Sequence, residues 1–170
     1  MARQLEHFPN LVTMFFTRAE QGGDRPFLWA KRDGQWRSKS WREAAEMVSS
    51  LAAGLRRIGL KPGDNVMLVS ENRSEWCIAD LAIMAAGCVT VPTYTTNTTR
   101  DHLHILEDSG ARAVIVSSEK LAKPLLPAVL QSNVCEHVIG IEPLRGAQGG
   151  TASFHDWQGL IAAEAADVAA

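Results

Sequence analysis

The sequence has no excess of positive charge: 17 Lys and Arg stand against 19 Asp and Glu, for a formal net charge of -2. A domain that grips a nucleic-acid backbone displays clustered surplus cations, so nucleic acid is not an expected partner. The pair Arg56 and Arg57 does not alter this, because cations in the last turn of a helix answer the helix dipole. Cysteine is scarce. Cys77, Cys88 and Cys135 are odd in number, widely spaced and without a C-x-x-C pair, which argues against a disulfide framework or zinc ribbon and for buried reduced thiols. No window approaches ~18 uninterrupted apolar residues, so no transmembrane segment is expected, and the first ten residues lack the apolar core of a signal peptide. The expected location is cytoplasmic, with peripheral contact at a membrane left open.

What is present is ordinary for a globular chain of 170 residues: 46% hydrophobic and 21% charged, enough for one domain with a real core. Residues 10–21 carry Leu11, Val12, Phe15, Phe16 and Ala19 at helical spacing, stopped by Gly22-Gly23. Two short runs, 26–31 and 35–38, flank Asp33-Gly34, a dipeptide that fits a two-residue hairpin turn, with Trp29 and Trp36 expected to face each other across it. Ser40 and Glu43 form a capping box, after which Ala44, Val48, Leu51, Leu55 and Ile58 recur with helical period up to Gly59.

A turn at Lys61-Pro62-Gly63-Asp64 leads to a buried strand at 65–69, and the alternation then repeats. A helix over 74–86, apolar nearly all round, is followed by a strand over 88–91 stopped by Pro92. Thr98 and Asp101 cap a third helix that closes at Gly110, before a strand at 113–116. A helix interrupted by Pro124 and Pro127 precedes a strand near 137–141, then a glycine-rich loop over 143–151 and a final helix capped by Ser153 and Asp156. Short connections and non-alternating strands predict a layered parallel or mixed α/β sheet flanked by helices, with an N-terminal β-hairpin. There is no internal repeat beyond this alternation, and the only low-complexity segment is the Ala-rich end.

The segments LKPGDNVMLVSENRSEWCIADLAIMAAGCVTVPTY and HLHILEDSGARAVIV resemble the opening subdomain of the adenylate-forming (AMP-binding) superfamily, which contains acyl-CoA synthetases, luciferase-like enzymes and peptide-synthetase adenylation domains. The resemblance spans residues 10–165, and its specificity lies in the order of generic pieces. Glu71-Asn72-Arg73-Ser74-Glu75-Trp76 and Val91-Pro92-Thr93-Tyr94 resemble the long- or medium-chain fatty acyl-CoA ligases more than the peptide-synthetase branch, with the long-chain fatty acid-CoA ligases as the expected branch. Such a resemblance implies that residues 1–170 are an N-terminal subdomain, ending before the phosphate-binding loop. Within it, 10–39 form a helix and hairpin, 40–142 an α/β core, and 143–170 a loop and terminal helix. A complete family member uses ATP and Mg2+ to make an acyl-adenylate and transfers the acyl group to coenzyme A. The Ser/Thr/Gly-rich loop with its Lys, the metal-binding Glu, the ribose-binding Asp and the catalytic Lys all fall downstream in the family, so no catalytic or metal residue is assigned in this chain. The implied partners are the remainder of a ligase chain, a fatty acid, ATP and CoA. Family members often pair through N-terminal segments, which leaves a homodimer open.

Tyr94, Thr95 and Thr96 are the site candidates. They lie at the carboxyl end of a predicted strand, where open α/β sheets bind ligands, and would border an acyl or nucleotide cleft. The competing reading is a loop that only supplies a helix cap. Gly146-Ala147-Gln148-Gly149-Gly150 lacks the following Lys-Ser or Lys-Thr of a phosphate loop. His102 and His104, two apart on a helix, point to different faces and are read as solvated or partly packed. Glu75 would favour the dipole of a helix start, with Glu71 and Arg73 exposed beside it. No Ser-His-Asp or Cys-His arrangement emerges, and no helix shows a basic, aromatic-interleaved face. A scaffold subdomain without activity of its own is therefore set against a stand-alone, non-catalytic α/β module that binds a small ligand or partner. The two differ in exposed apolar area, which a subdomain would show and an independent module would not.

Overall fold

The structure, a computed structural model, describes residues 6–145 and 150–167 and divides into two compact units, one up to Met47 and one from Val48 onward. In the first, helix α1 (Leu11–Gly22) is capped by Asn10, whose side chain accepts from the Thr13 amide at 2.7 Å. Strands β1 (Pro26–Arg32) and β2 (Gln35–Ser40) form an antiparallel hairpin. Its turn holds Asp33 and Gly34 at φ 51° and 77°, the left-handed pair that a tight turn compatible with strand twist requires. The two tryptophans are not opposed: Trp29 pairs with Ser38 and Trp36 with Lys31. Even strand periodicity places them as diagonal neighbours on one face, and both are exposed rather than packed. The aromatic packing of this unit lies elsewhere, in Phe27 stacked on Trp41 at 3.7 Å with Phe15 beside both.

Helix α2 (Trp41–Arg57) starts at the expected box, with the Ser40 amide donating to Glu43 at 2.6 Å and the Glu43 amide to Ser40 Oγ at 3.1 Å. It ends at Gly59, whose φ of 104° is open to a residue without Cβ. In the second unit, β3 (Asn65–Val69), β4 (Val89–Pro92), β5 (Ala113–Val116), β6 (His137–Gly140) and β7 (Ser153–Asp156) form a parallel sheet in the order β4-β3-β5-β6-β7. The crossovers are α3 (Ser74–Ala85), α4 (Thr99–Ser109) and α5 (Glu119–Gln131), and α6 (Trp157–Asp167) follows β7. Met67, Val69, Val114, Val116 and Val138 form one core cluster with Leu106 of α4 and Leu121, Leu125 and Val129 of α5. The chain leaves β3 toward β4 in the opposite direction from its later steps, so right-handed crossovers place α3 on the other face.

Several expectations are corrected. Pro92 ends β4 from inside it, paired in register with Leu68, which an edge strand tolerates because its outer side has no ladder to complete. Helix α5 runs through Pro124 and Pro127 without interruption. Its buried face supplies the stability that two missing amide bonds withdraw, and side chains add bonds to the prolines' own carbonyls: Thr99 Oγ1 donates to Pro124 O at 2.7 Å, and Gln131 Nε2 to Pro127 O at 2.8 Å. Ser153 begins a fifth strand rather than a cap, and only Asp156 caps α6, accepting from the Gly159 amide at 2.8 Å. His102 is core, 1% exposed, with burial holding its pKa below the ordinary value, while His104 is exposed. Cys88 and Cys135 are buried, but Cys77 is half-buried.

Candidate functional site

The sheet reverses its winding between β3 and β5, so the connections leaving their carboxyl ends run to opposite sides and open a crevice there. Beside it lies a cleft of about 560 Å3. Ser70, Glu71 and Asn72 line it from the exit of β3, Trp76 from α3, and Pro92, Thr93, Tyr94 and Thr95 from the exit of β4. Of the residues singled out in the sequence, Tyr94 and Thr95 thus stand in the wall, and Thr96 is exposed on the same loop outside the lining. The loop is anchored at both ends. The Thr93 amide donates to Leu68 O at 3.1 Å, and Thr98 and Asp101 complete a capping box at the start of α4. Tyr94 is 80% exposed between these anchors. Buried polar atoms of β4 and its exit, Thr90 Oγ1 and Thr93 Oγ1, have no hydrogen-bond partner among the described residues.

The charges beside the cleft are tied down. Buried Ser117, at the end of β5, donates its hydroxyl to the Glu71 carboxylate, joining the two strand ends that flank the crevice. Burial raises the Glu71 pKa, but the Ser117 bond, the main-chain bond and nearby Arg73 more than offset this and leave it below the usual carboxylate value. Arg73 is not the solvated side chain expected: it donates to Glu75 at 3.0 Å and to Glu142, beyond β6, at 2.7 Å. Burial works against its charge, and the two carboxylates reverse that. Glu75 is itself buried.

Because the folded pKa of Glu71 is depressed, its stabilisation is whole above the unfolded carboxylate value of about 4.3 and fades as pH falls through the lower folded value. Ser117→Ala is expected to cost about 1 kcal/mol at neutral pH, the ordinary worth of a hydrogen bond to a charged, partly solvated group. In urea melts against pH, the gap to the parent chain should narrow in the acid range. A gap that stayed constant down to acid unfolding would show that Glu71 ionisation contributes nothing.

The lining suits an uncharged group with a flat ring and not a chain of phosphates. Hydroxyls, the Asn72 amide and the Trp76 and Tyr94 rings fit an uncharged group, whereas the one ionised side chain, Glu71, is an anion. A triphosphate with Mg2+ demands converging cations and amides. The cleft has no Lys or Arg in its lining, and no group of three His, Cys, Asp or Glu able to hold a metal occurs among the described residues. Gly146 to Gly149 of the glycine-rich loop lie outside the described residues. Sequence reading missed Ser70, Asn72, Trp76 and Thr93 as wall residues. Their signal was available in part, since Ser70, Asn72 and Thr93 each lie within three residues of the carboxyl end of a predicted strand, whereas Trp76 sits in the first turn of α3.

Among known proteins, a long-chain-fatty-acid–CoA ligase of Mycobacterium tuberculosis is 34% identical over 125 residues, covering 74% of this chain and 20% of that protein. An acyl-CoA ligase of Aspergillus niger is 33% identical over 156 residues, covering 89% and 28% respectively. The chain thus spans less than a third of the length of these relatives. In fold, the adenylation domain of a carboxylate reductase from Mycobacterium chelonae superposes with a TM-score of 0.79 at 18% identity, over 92% of this chain and 29% of that one. The model of the AMP-binding enzyme family matches residues 15–168, nearly the whole sequence, and the chain belongs to that family.

Proposed function

We propose that this chain is the opening subdomain of an ATP-dependent acyl-CoA synthetase, which converts a fatty acid, ATP and CoA to acyl-CoA, AMP and pyrophosphate through an acyl-adenylate. In this reading the chain supplies scaffold and one wall of the substrate cleft, and is inactive alone. The observation that carries it is the cleft at the carboxyl ends of β3 and β4, lined by hydroxyls and two aromatic rings but without a cation to hold a phosphate chain. Tyr94 and Thr95 border the uncharged part of the bound ligand, while Mg2+ and the phosphates are handled by the rest of the enzyme.

Isothermal titration of the chain with ATP and with a non-hydrolysable acyl-adenylate mimic should give no measurable heat. Micromolar binding of either would overturn the reading of a bare wall. In the full-length enzyme, Tyr94→Ala with Thr95→Ala is expected to lower kcat/KM for the acyl substrate or ATP by roughly tenfold, the loss of about 1.4 kcal/mol of contact. Unchanged kinetics for both substrates would remove these residues from the wall.

A further inference from the structure

The β1–β2 hairpin concentrates features that neither the core nor the cleft uses. Pro26 to Ser40 holds Lys31, Arg32, Arg37 and Lys39 against Asp33 alone, a local charge of +3 in a chain whose total is -2, so the remaining residues carry -5. Every residue from Lys31 to Ser38 is exposed. On one face stand Trp29 and Trp36, 57% and 66% exposed and diagonal to each other, with Lys31 and Ser38 completing the patch. Arg32, Arg37 and Lys39 occupy the alternate positions of the two strands and so belong to the opposite face.

We propose that this hairpin is a docking surface for an anionic phospholipid membrane. Indole rings favour the boundary between headgroups and acyl chains, where their apolar body is buried and their N–H stays wet. Two of them on one ribbon face give a flat apolar contact, and the surrounding cations are drawn to negative headgroups within a Debye length. The long stems of Arg and Lys let charges on the far face reach toward the lipid surface around the ribbon's edges. A nucleic-acid strand is the poorer match. It would need aromatic rings and several cations on the same face, and here only Lys31 shares the tryptophan face. Charge complementarity and the exposed indole pair therefore select one partner. The inference is independent of the ligase reading.

The test is co-sedimentation of the chain with vesicles of phosphatidylcholine alone and with about a third phosphatidylglycerol, the second carrying the negative surface potential. The chain is expected to pellet with the anionic vesicles only and to be released by high salt. Trp29→Ser with Trp36→Ser should weaken partitioning about tenfold, and Lys31→Glu with Arg37→Glu at least as much. All four side chains are exposed, so thermal melts of these variants should match the parent, separating lost docking from lost folding. No sedimentation, or sedimentation equal in the tryptophan variant, would overturn the proposal. So would hairpin-dependent binding of duplex DNA without vesicle binding. Self-association abolished by the tryptophan variant, again without vesicle binding, would assign the face to a second copy instead.

Discussion

Replacing Ile115 with alanine is expected to remove about 3–4 kcal/mol of stability, the largest loss among single truncations in the sheet. β5 lies between β3 and β6, and its register places Ile115 beside Leu68 on one side and Ile139 on the other. All three side chains are fully buried, so they form one continuous row on the face opposite Val114 and Val116. Alanine would leave a void in the middle of that row. The strand backbones are fixed by ladders on both sides of β5 and cannot collapse to fill it, which puts the cost near the upper part of the range for such truncations. Against a total of roughly 5–15 kcal/mol for a domain, this is a substantial share. Ile115→Val removes a single methylene and should cost about 1 kcal/mol. Urea denaturation of the three chains, fitted with a common slope, measures both differences. A loss below about 1 kcal/mol for alanine would mean the row repacks and the sheet centre is looser than its burial implies.

The same row explains what could be read in advance. Val66 to Val69 and Ala113 to Val116 are unbroken apolar runs because both of their faces are covered, and such runs announce a central parallel strand. β7 could not announce itself. Ser153, Phe154, His155 and Asp156 form an edge strand with no fully buried side chain, so no hydrophobic period marks it, and Asp156 was legible only as a cap. Helix α5 was legible but its continuity through Pro124 and Pro127 was not: local propensity argues for a break, and the decision is made by packing of Leu121, Leu125 and Val129 onto the sheet.

At the cleft, strand ends could be located, and with them Tyr94 and Thr95. The link from Glu71 to Ser117 spans 46 residues, a distance that no local pattern encodes. Basic character was sought on helices, and the hairpin that carries it was read only for its turn and its tryptophan pair. His102 illustrates the remaining limit. Spacing separates it from His104, but only the packed structure shows that one of the two is core and the other solvent-facing.

Gly54→Val is expected to cost about 2–3 kcal/mol and to leave α6 docked in a shifted position. A Cβ built at Gly54 lies 2.9 Å from the main-chain oxygen of Leu160 and 3.2 Å from its Cβ. The nearest atom is thus backbone, which cannot swing aside as a side-chain terminus would. That oxygen also accepts from Arg57 Nη2 at 3.1 Å, so α2 holds α6 both by close approach and by a charged donor. Three effects compete. Replacing glycine inside a helix gains about 1 kcal/mol with alanine and less with valine, whose branched Cβ is restricted. Overpacking costs about 1–3 kcal/mol, and more as the side chain grows. Releasing α6 altogether would expose Trp157 and Leu160, now 1% and 5% exposed, at roughly 4 kcal/mol together. Strain is cheaper than release, so the helix moves by tenths of an ångström and stays. For alanine the gain and the overlap nearly cancel, giving a loss of about 1 kcal/mol or less, whereas valine tips the balance firmly to loss. Thermal melts of Gly54→Ala and Gly54→Val rank the two, and hydrogen exchange of the α6 amides reports docking directly. Valine as stable as the parent would mean that the close approach of α2 and α6 does not exist in solution. Valine with fully unprotected α6 amides would mean that α6 is held by less than the burial of Trp157 and Leu160 implies.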